Sequence, residues 1–259
     1  AGVFVDGRYR TQVKAQVAAE YTPVPWPDVR LPDWLIEHLP NGGRVGFDPW
    51  LHTVAEVERW AQVLDETGIV MVQSDNLVDR VWPDQPAPPM QPVKAHPLEF
   101  AGETATDKSA RLAKGLRDAR HRAAVITLPD SIMWLLNIRG SDIARNPVAH
   151  GFAVLHDDGR VDLFMEPAKL DAVRDHLDEM VTICPPDGFL TALVELSGPV
   201  RLEKSSAPQK LADVLGVTAV FGDDPCALPK ARKNRAEIEG SAAAHLRDGA
   251  AMVELLAWL

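Results

Sequence analysis

Cysteine is scarce in this sequence, which has only Cys184 and Cys226 among its 259 residues. Two cysteines exclude a disulfide-rich scaffold and a four-cysteine zinc site. Each of the two lies next to a proline in the sequence. We therefore expect both to be reduced, buried thiols.

Long apolar runs and an excess of positive charge are also missing. The longest apolar runs are shorter than a membrane-spanning helix requires, and no basic segment followed by an apolar one opens the chain. The formal net charge is −10 and the pI is about 5.3, so no basic stripe is available to bind phosphate groups. These absences predict a cytoplasmic protein that binds neither nucleic acid nor a membrane.

The common catalytic motifs are absent as well. The eight histidines are scattered and include no His-Glu-x-x-His pair. There is no Gly-x-Ser-x-Gly elbow, no phosphate-binding Walker loop and no dinucleotide fingerprint after a strand. No hydrolase site follows from the spacing of these residues.

What the chain does contain is a regular alternation of strand and helix patterns, which is typical of α/β proteins. Thr53 and Glu56 have the spacing of a capping box, and Gly68 marks the end of the helix that they begin. The elements predicted for the first part are a strand over 3–5, helices over 9–19 and 33–37, a strand over 44–47, a helix over 53–66 and a strand over 69–73.

A proline-rich segment over residues 83–97 follows, with six prolines. Such density excludes a helix or a central strand and favours a stiff linker between domains, although a surface loop within one domain would also fit. Alternation then restarts. The elements predicted for the second part are helices over 106–122, 130–134, 167–177, 189–196 and 209–215, strands over 124–128, 181–184, 200–202 and 217–221, a hairpin over 152–164 and a long capped helix over 234–259.

The segment 134–148 combines an apolar run with a dense polar turn. Its sequence is Trp-Leu-Leu-Asn-Ile-Arg-Gly-Ser-Asp-Ile-Ala-Arg-Asn-Pro-Val. It is either a functional or junctional loop, or a buried helix end at which Gly140 stops the helix and Pro147 begins an extended strand. The residues alone leave both interpretations open.

The same segment resembles the Asn-x-Arg-Gly-x-Asp-(Ile/Val)-x-x-Asn-Pro-Val signature of long-form aminopeptidase P, the three-domain Xaa-Pro aminopeptidase of the creatinase/prolidase group. Three further stretches resemble that family in the same order. They are Val5-Asp6-Gly7-Arg8-Tyr9 with Gln12, the stretch from Asn76 to Trp82, and the stretch from Lys233 to Asp248. Four ordered matches cover nearly the whole chain.

The resemblance implies two successive creatinase N-terminal-like domains, each a mixed sheet with flanking helices, and the first helix of a pita-bread catalytic domain. The expected ranges are 1–95, 96–228 and 229–259. Both chain ends look cut, so we expect a fragment that is inactive alone. The family's two divalent metal ions, Mn or Zn, would be bound in the catalytic domain beyond Leu259, and the full-length enzyme would be a homodimer.

Arg8 is the single site residue that the sequence suggests. By itself, an arginine at a strand-to-helix corner would pair with Asp6 or with a helix end. The resemblance instead implies that Arg8 binds the peptide substrate, which has proline at its second position. The two domains would restrict access to the active site. A relative that binds peptides or proteins without catalysis, and a sister hydrolase such as prolidase, are the alternatives.

Overall fold

A computed structural model describes all residues from Ala1 to Leu259, which form two compact units over 1–81 and 82–259. The first unit alternates strands and helices as the sequence predicts. Its elements are β1 (Gly2–Val5), α1 (Val13–Gln16), β2 (Thr22–Pro25), α2 (Leu31–His38), β3 (Gly43–Phe47), α3 (Val54–Leu64), β4 (Ile69–Gln73) and α4 (Leu77–Val81). The strands pair in parallel as β1 with β2 and β3 with β4.

The capping box of α3 is confirmed: the Thr53 hydroxyl accepts from the Glu56 N–H, and the Glu56 carboxylate accepts from the Thr53 N–H. The helix predicted over 9–19 is wrong, because only Val13–Gln16 is α-helical. Val17 is extended, since the chain must turn to place Thr22 beside Gly2 in the parallel pair. α2 begins at Leu31 instead of at Asp33, because Pro32 fits the first turn of a helix.

The second unit holds a mixed six-stranded sheet. Its elements are β5 (Lys94–Ala95), α5 (Leu98–Ala101), α6 (Ala105–Asp118), β6 (Ala123–Ile126), α7 (Pro129–Leu135), β7 (Ile138–Arg139), β8 (Phe152–His156), β9 (Val161–Phe164), a 3-10 helix (Pro167–Val173), β10 (Val181–Cys184), α8 (Phe189–Glu195), β11 (Val200–Leu202), α9 (Gln209–Leu215), β12 (Ala219–Phe221), α10 (Ala227–Ala231) and α11 (Arg235–Trp258). The strand order is β10-β9-β8-β6-β11-β12, with β8 antiparallel to both of its neighbours. The predicted hairpin is confirmed by the β8–β9 pair.

Both faces of this sheet are covered, as the alternation of side chains along β6 shows. Ala124 and Ile126 pack in a core with α6 and α7, whereas Ala123 and Val125 pack in a second core with α8 and α9. The predicted fold class, a mixed α/β sheet with flanking helices, is confirmed.

Several predicted details of the second unit are corrected. α6 ends at Asp118 and not near Arg122. The segment after Pro167 is a 3-10 helix that ends at Val173, and the carbonyl of Lys169 accepts from the N–H of Val93. Cys226 is buried as expected, whereas Cys184 is partly exposed because it lies in an edge strand of the sheet.

The end of the proline-rich segment belongs to the second unit. Val93 is completely buried in its core, and β5 pairs with β7. The compact units therefore divide at Val81, before the prolines, whereas the sequence suggested residue 95. The three predicted domain ranges stay predictions.

The long helix α11 is capped as predicted, with reciprocal hydrogen bonds between Asn234 and Glu237. Leu246 and Val253 lie seven residues apart on one face of this helix, and both are exposed, at 78% and 66%. None of the helices combines the length and the apolar content that a membrane span needs.

Candidate functional site

The segment 134–148 starts at the end of α7 with a left-handed turn. α7 carries Pro129 in its first turn and ends at Leu135. Asn137 then has a φ of 51°, a conformation that asparagine adopts more readily than most residues. The chain continues into β7, which pairs antiparallel with β5. The turn brings the Asn137 side chain against α6.

A buried lysine of α6 meets this turn. Lys108 is only 1% exposed, and its ammonium donates to the carbonyl oxygen of Trp134 at 2.9 Å and to Asn137 Oδ1 at 2.6 Å. Lys108 Nζ also lies 4.5 Å from the centre of the Trp134 ring. Both acceptors are neutral, so the charge is stabilised by dipoles and by the indole ring and not by a carboxylate in contact.

Asn137 connects Lys108 to the segment before α6. Its Nδ2 donates to the carbonyl oxygen of Glu103 at 2.8 Å, and the residue is only 4% exposed. The carboxylate of Glu103 in turn accepts from Arg111 Nε at 3.0 Å and from Arg111 Nη2 at 2.8 Å. Both the oxygen and the nitrogen of the Asn137 side-chain amide thus have a hydrogen-bond partner, one in α6 and one just before it.

Burial lowers the pKa of Lys108 from 10.5 to about 8, although the nearby charges of Glu103 and Glu237 oppose the shift. The folded state therefore binds the proton of Lys108 less tightly than the unfolded chain does. Between about pH 8 and pH 10.5 the unfolded chain carries more protons, so this residue makes stability rise with pH in that window.

We expect this rise to disappear in a Lys108→Met variant, because methionine does not titrate. The measurement is the free energy of unfolding of both proteins at a series of pH values across the window. Lys114→Met is the matched control, since Lys114 lies in the same helix with 70% of its side chain exposed. If the free energy of unfolding of Lys108→Met rose with pH as steeply as that of the wild type, the rise could not be assigned to Lys108.

A second buried charge fixes the later part of the segment. The Asp142 carboxylate pairs with Lys169, and their side chains are 0% and 3% exposed. The same carboxylate accepts from the N–H of His150 at 2.7 Å and from the N–H of Gln91 at 3.3 Å. Burial opposes ionisation of Asp142, yet the hydrogen bonds from Lys169 and His150 hold its pKa below the ordinary value. Asp142 therefore connects its own part of the chain to Gln91, His150 and Lys169.

These contacts make the segment a structural joint of the second unit. Lys108, Asp142 and Lys169 already have internal partners, so they are not arranged as a nucleophile with a base. No group of three or more His, Cys, Asp or Glu side chains in the chain is placed to hold a metal ion. The residues of this chain therefore do not fit a two-metal centre.

Arg8, the predicted substrate-binding residue, lies on the surface of the first unit. Its side chain is 80% exposed, and Arg8 Nη2 lies 2.6 Å from Asp6 Oδ2. The hydrogen bonds from Arg8 lower the pKa of Asp6. The guanidinium can exchange this exposed partner for a ligand, because surface ion pairs are weak. Its role in substrate binding stays a prediction.

The sequence analysis did not single out Lys108. This residue lies four and eight residues before Leu112 and Leu116, on the same buried helix face. That spacing was the available signal. A lysine in line with buried leucines predicts an internal partner, which here is the turn at Asn137.

Models of the creatinase/prolidase N-terminal domain match two parts of the chain, residues 1–81 and residues 84–237. The chain belongs to the creatinase/prolidase N-terminal domain family. Both matches fall within the compact units of the structure. The predicted resemblance and the creatinase-like fold class are thereby confirmed.

Relatives of this creatinase-family chain extend the match over its whole length. It is 36% identical to a probable Xaa-Pro aminopeptidase P of Coccidioides posadasii and 34% identical to that of Aspergillus clavatus, in each case with 100% of the chain covered. The crystal structure of X-prolyl aminopeptidase from Caenorhabditis elegans, a cytosolic enzyme with a di-nuclear active site, matches the whole chain with a TM-score of 0.89 at 32% identity. The chain spans less than half of these proteins: 45%, 42% and 44%.

Proposed function

We propose that this chain forms the N-terminal and middle domains of a longer, metal-dependent Xaa-Pro aminopeptidase. The enzyme would remove the first residue of peptides that have proline at the second position. The observation that carries this proposal is the match to the Caenorhabditis elegans X-prolyl aminopeptidase over the entire chain. The fungal relatives named for the same activity support it.

Within that enzyme, the two creatinase-like domains would restrict access to the active site and support contacts between domains. The buried joints at Lys108 and Asp142 suit such a scaffold, because they hold loops in one arrangement. The two divalent ions, Mn or Zn, would be bound by the remainder of the enzyme. We further propose a cytoplasmic homodimer, as the description of the Caenorhabditis elegans protein as cytosolic supports the location.

The first test compares the 259-residue chain with the longer parent protein in an assay of Xaa-Pro peptides supplemented with Mn or Zn. The proposal expects turnover by the parent and none by the chain alone. A parent that binds the peptides without turning them over would instead be a non-catalytic binding relative. Turnover by the isolated chain would contradict the division of roles.

In the same assay, we expect Arg8→Ala to lower kcat/KM of the parent about tenfold, because a guanidinium bound to the peptide contributes about that much. Bound metal, measured by elemental analysis, should be unchanged. Arg10→Ala is the matched control, since Arg10 is another exposed arginine of the same unit paired with an aspartate. Parallel losses of turnover and metal would indicate a folding role for Arg8.

A further inference from the structure

The first unit contains a cleft that lies apart from Arg8. Its volume is about 410 Å³, which is within the range of small-molecule sites. One wall is the N-terminal turn of α2, and another is the face of α3 that carries Glu56, Arg59, Trp60 and Val63. These α3 positions follow the spacing of one helix face, so their side chains line the cleft together.

Aromatic side chains form the apolar part of the cleft. Trp60 is 8% exposed and is held by edge-to-face contacts with Phe47, at 6.2 Å between ring centres, and with His52, at 4.5 Å. Trp26 is 52% exposed and lines the same cleft, together with Phe4. A fixed indole and an accessible one suit a planar apolar ligand, which gains both buried area and ring contacts.

Two arginines supply the charge. Arg30 and Arg59 line the cleft, and neither guanidinium forms a hydrogen bond or an ion pair with another side chain. Two other arginines of this unit, Arg8 and Arg10, are instead paired with aspartates. Unpaired guanidinium groups beside aromatic rings are well suited to a carboxylate or phosphate.

Two acids also line the cleft, so the formal charges of its lining residues balance. The Glu56 carboxylate keeps its charge but is engaged in the α3 capping box, where it accepts from the Thr53 N–H at 2.9 Å. Asp33 is the other acid. A preference for an anion therefore comes from the two guanidinium groups, which have no side-chain partner, and from the N-terminus of α2, which has no side-chain cap.

We propose that this cleft binds small organic anions with a planar aromatic body, whose ring packs against Trp26 and Trp60 while Arg30 and Arg59 hold the anionic group. The proposal does not depend on the peptidase function. It concerns a site on the first unit alone, and every contact that it needs is made by residues of this chain.

The test is a titration of the full 259-residue chain with indole-3-propionate and with its neutral amide, followed by calorimetry and by NMR. We expect the acid to bind about tenfold more tightly than the amide. Arg59→Met and Arg30→Met should each remove most of this preference, while Asp33→Asn should strengthen acid binding. Arg44→Met is the control, because Arg44 is an exposed arginine of β3 outside the cleft.

Each variant is first checked for an unchanged unfolding midpoint, which separates lost binding from lost folding. Equal affinity for acid and amide would overturn the proposal. So would a preference for the acid that survives in both arginine variants, or the absence of binding in the millimolar range.

Discussion

Replacing Asp142 by asparagine is expected to destabilise the second unit by about 3–5 kcal/mol. The change leaves the Lys169 ammonium, which is 3% exposed, without a charged partner. It also places an amide group where the carboxylate accepted two backbone N–H groups, from His150 and Gln91. The measurement is urea-induced unfolding, followed by hydrogen exchange of the amides in β6 and β8.

The matched control is Asp118→Asn, which breaks an exposed ion pair with Lys114 in the same unit. We expect that variant to lose less than about 1 kcal/mol, because solvent screens the pair. Adding Lys169→Met to Asp142→Asn should recover part of the lost stability, since it removes the uncompensated buried charge. If Asp142→Asn lost no more stability than Asp118→Asn, the Asp142–Lys169 pair would contribute little to the stability of the unit.

Acid provides an independent check on Asp142. Because its folded-state pKa lies below the ordinary value of 3.8, its contribution is complete above that value and is lost as the pH falls through the folded pKa. The stability difference between wild type and Asp142→Asn should therefore shrink below about pH 3.8. A difference that stays constant to lower pH would contradict an ionised Asp142 in the folded state.

Local patterns were sufficient for most elements of the fold. The capping boxes at Thr53 and Asn234 begin α3 and α11, and the Asp-Gly turn at Gly159 joins β8 to β9. In each case the signal and the contact lie within a few residues, so the chemistry that forms the element is visible in the sequence.

The secondary-structure predictions were wrong where a contact distant in sequence decides the local structure. The residues after Pro167 have helical character, but Lys169 is held at both ends: its carbonyl bonds to Val93 and its ammonium pairs with Asp142. A 3-10 helix satisfies those contacts. Neither partner is within twenty residues in the sequence, so no window of local propensity could include them.

The joint around residues 134–148 shows the same limit. Its sequence fitted either a junctional loop or a buried helix end, because the role of each residue depends on its neighbours in space. Gly140 was one candidate for the helix stop, yet α7 ends at Leu135 and the left-handed residue is Asn137. Gly140 has a different physical reason for being glycine.

That reason predicts a large effect for Gly140→Ala. A Cβ atom at this position would lie 2.4 Å from the backbone nitrogen of Ala149 and 2.5 Å from the carbonyl carbon of Val148. Ala149 is completely buried, and the N–H of Gly140 donates to the carbonyl of Pro147 at 3.2 Å, so neither strand of the loop can move away freely. We expect a loss of about 3 kcal/mol in unfolding free energy.

Gly115→Ala is the matched control, because a Cβ on this α6 residue meets nothing within 4 Å. It should stabilise the same unit by up to about 1 kcal/mol through helix propensity.

The Gly140 and Asp142 variants should also combine with less than additive losses of stability, since displacing Val148 moves the loop that Asp142 anchors. Gly140→Ala with near wild-type stability would mean that the loop opens easily, and full additivity would mean that the glycine contact and the buried ion pair act separately.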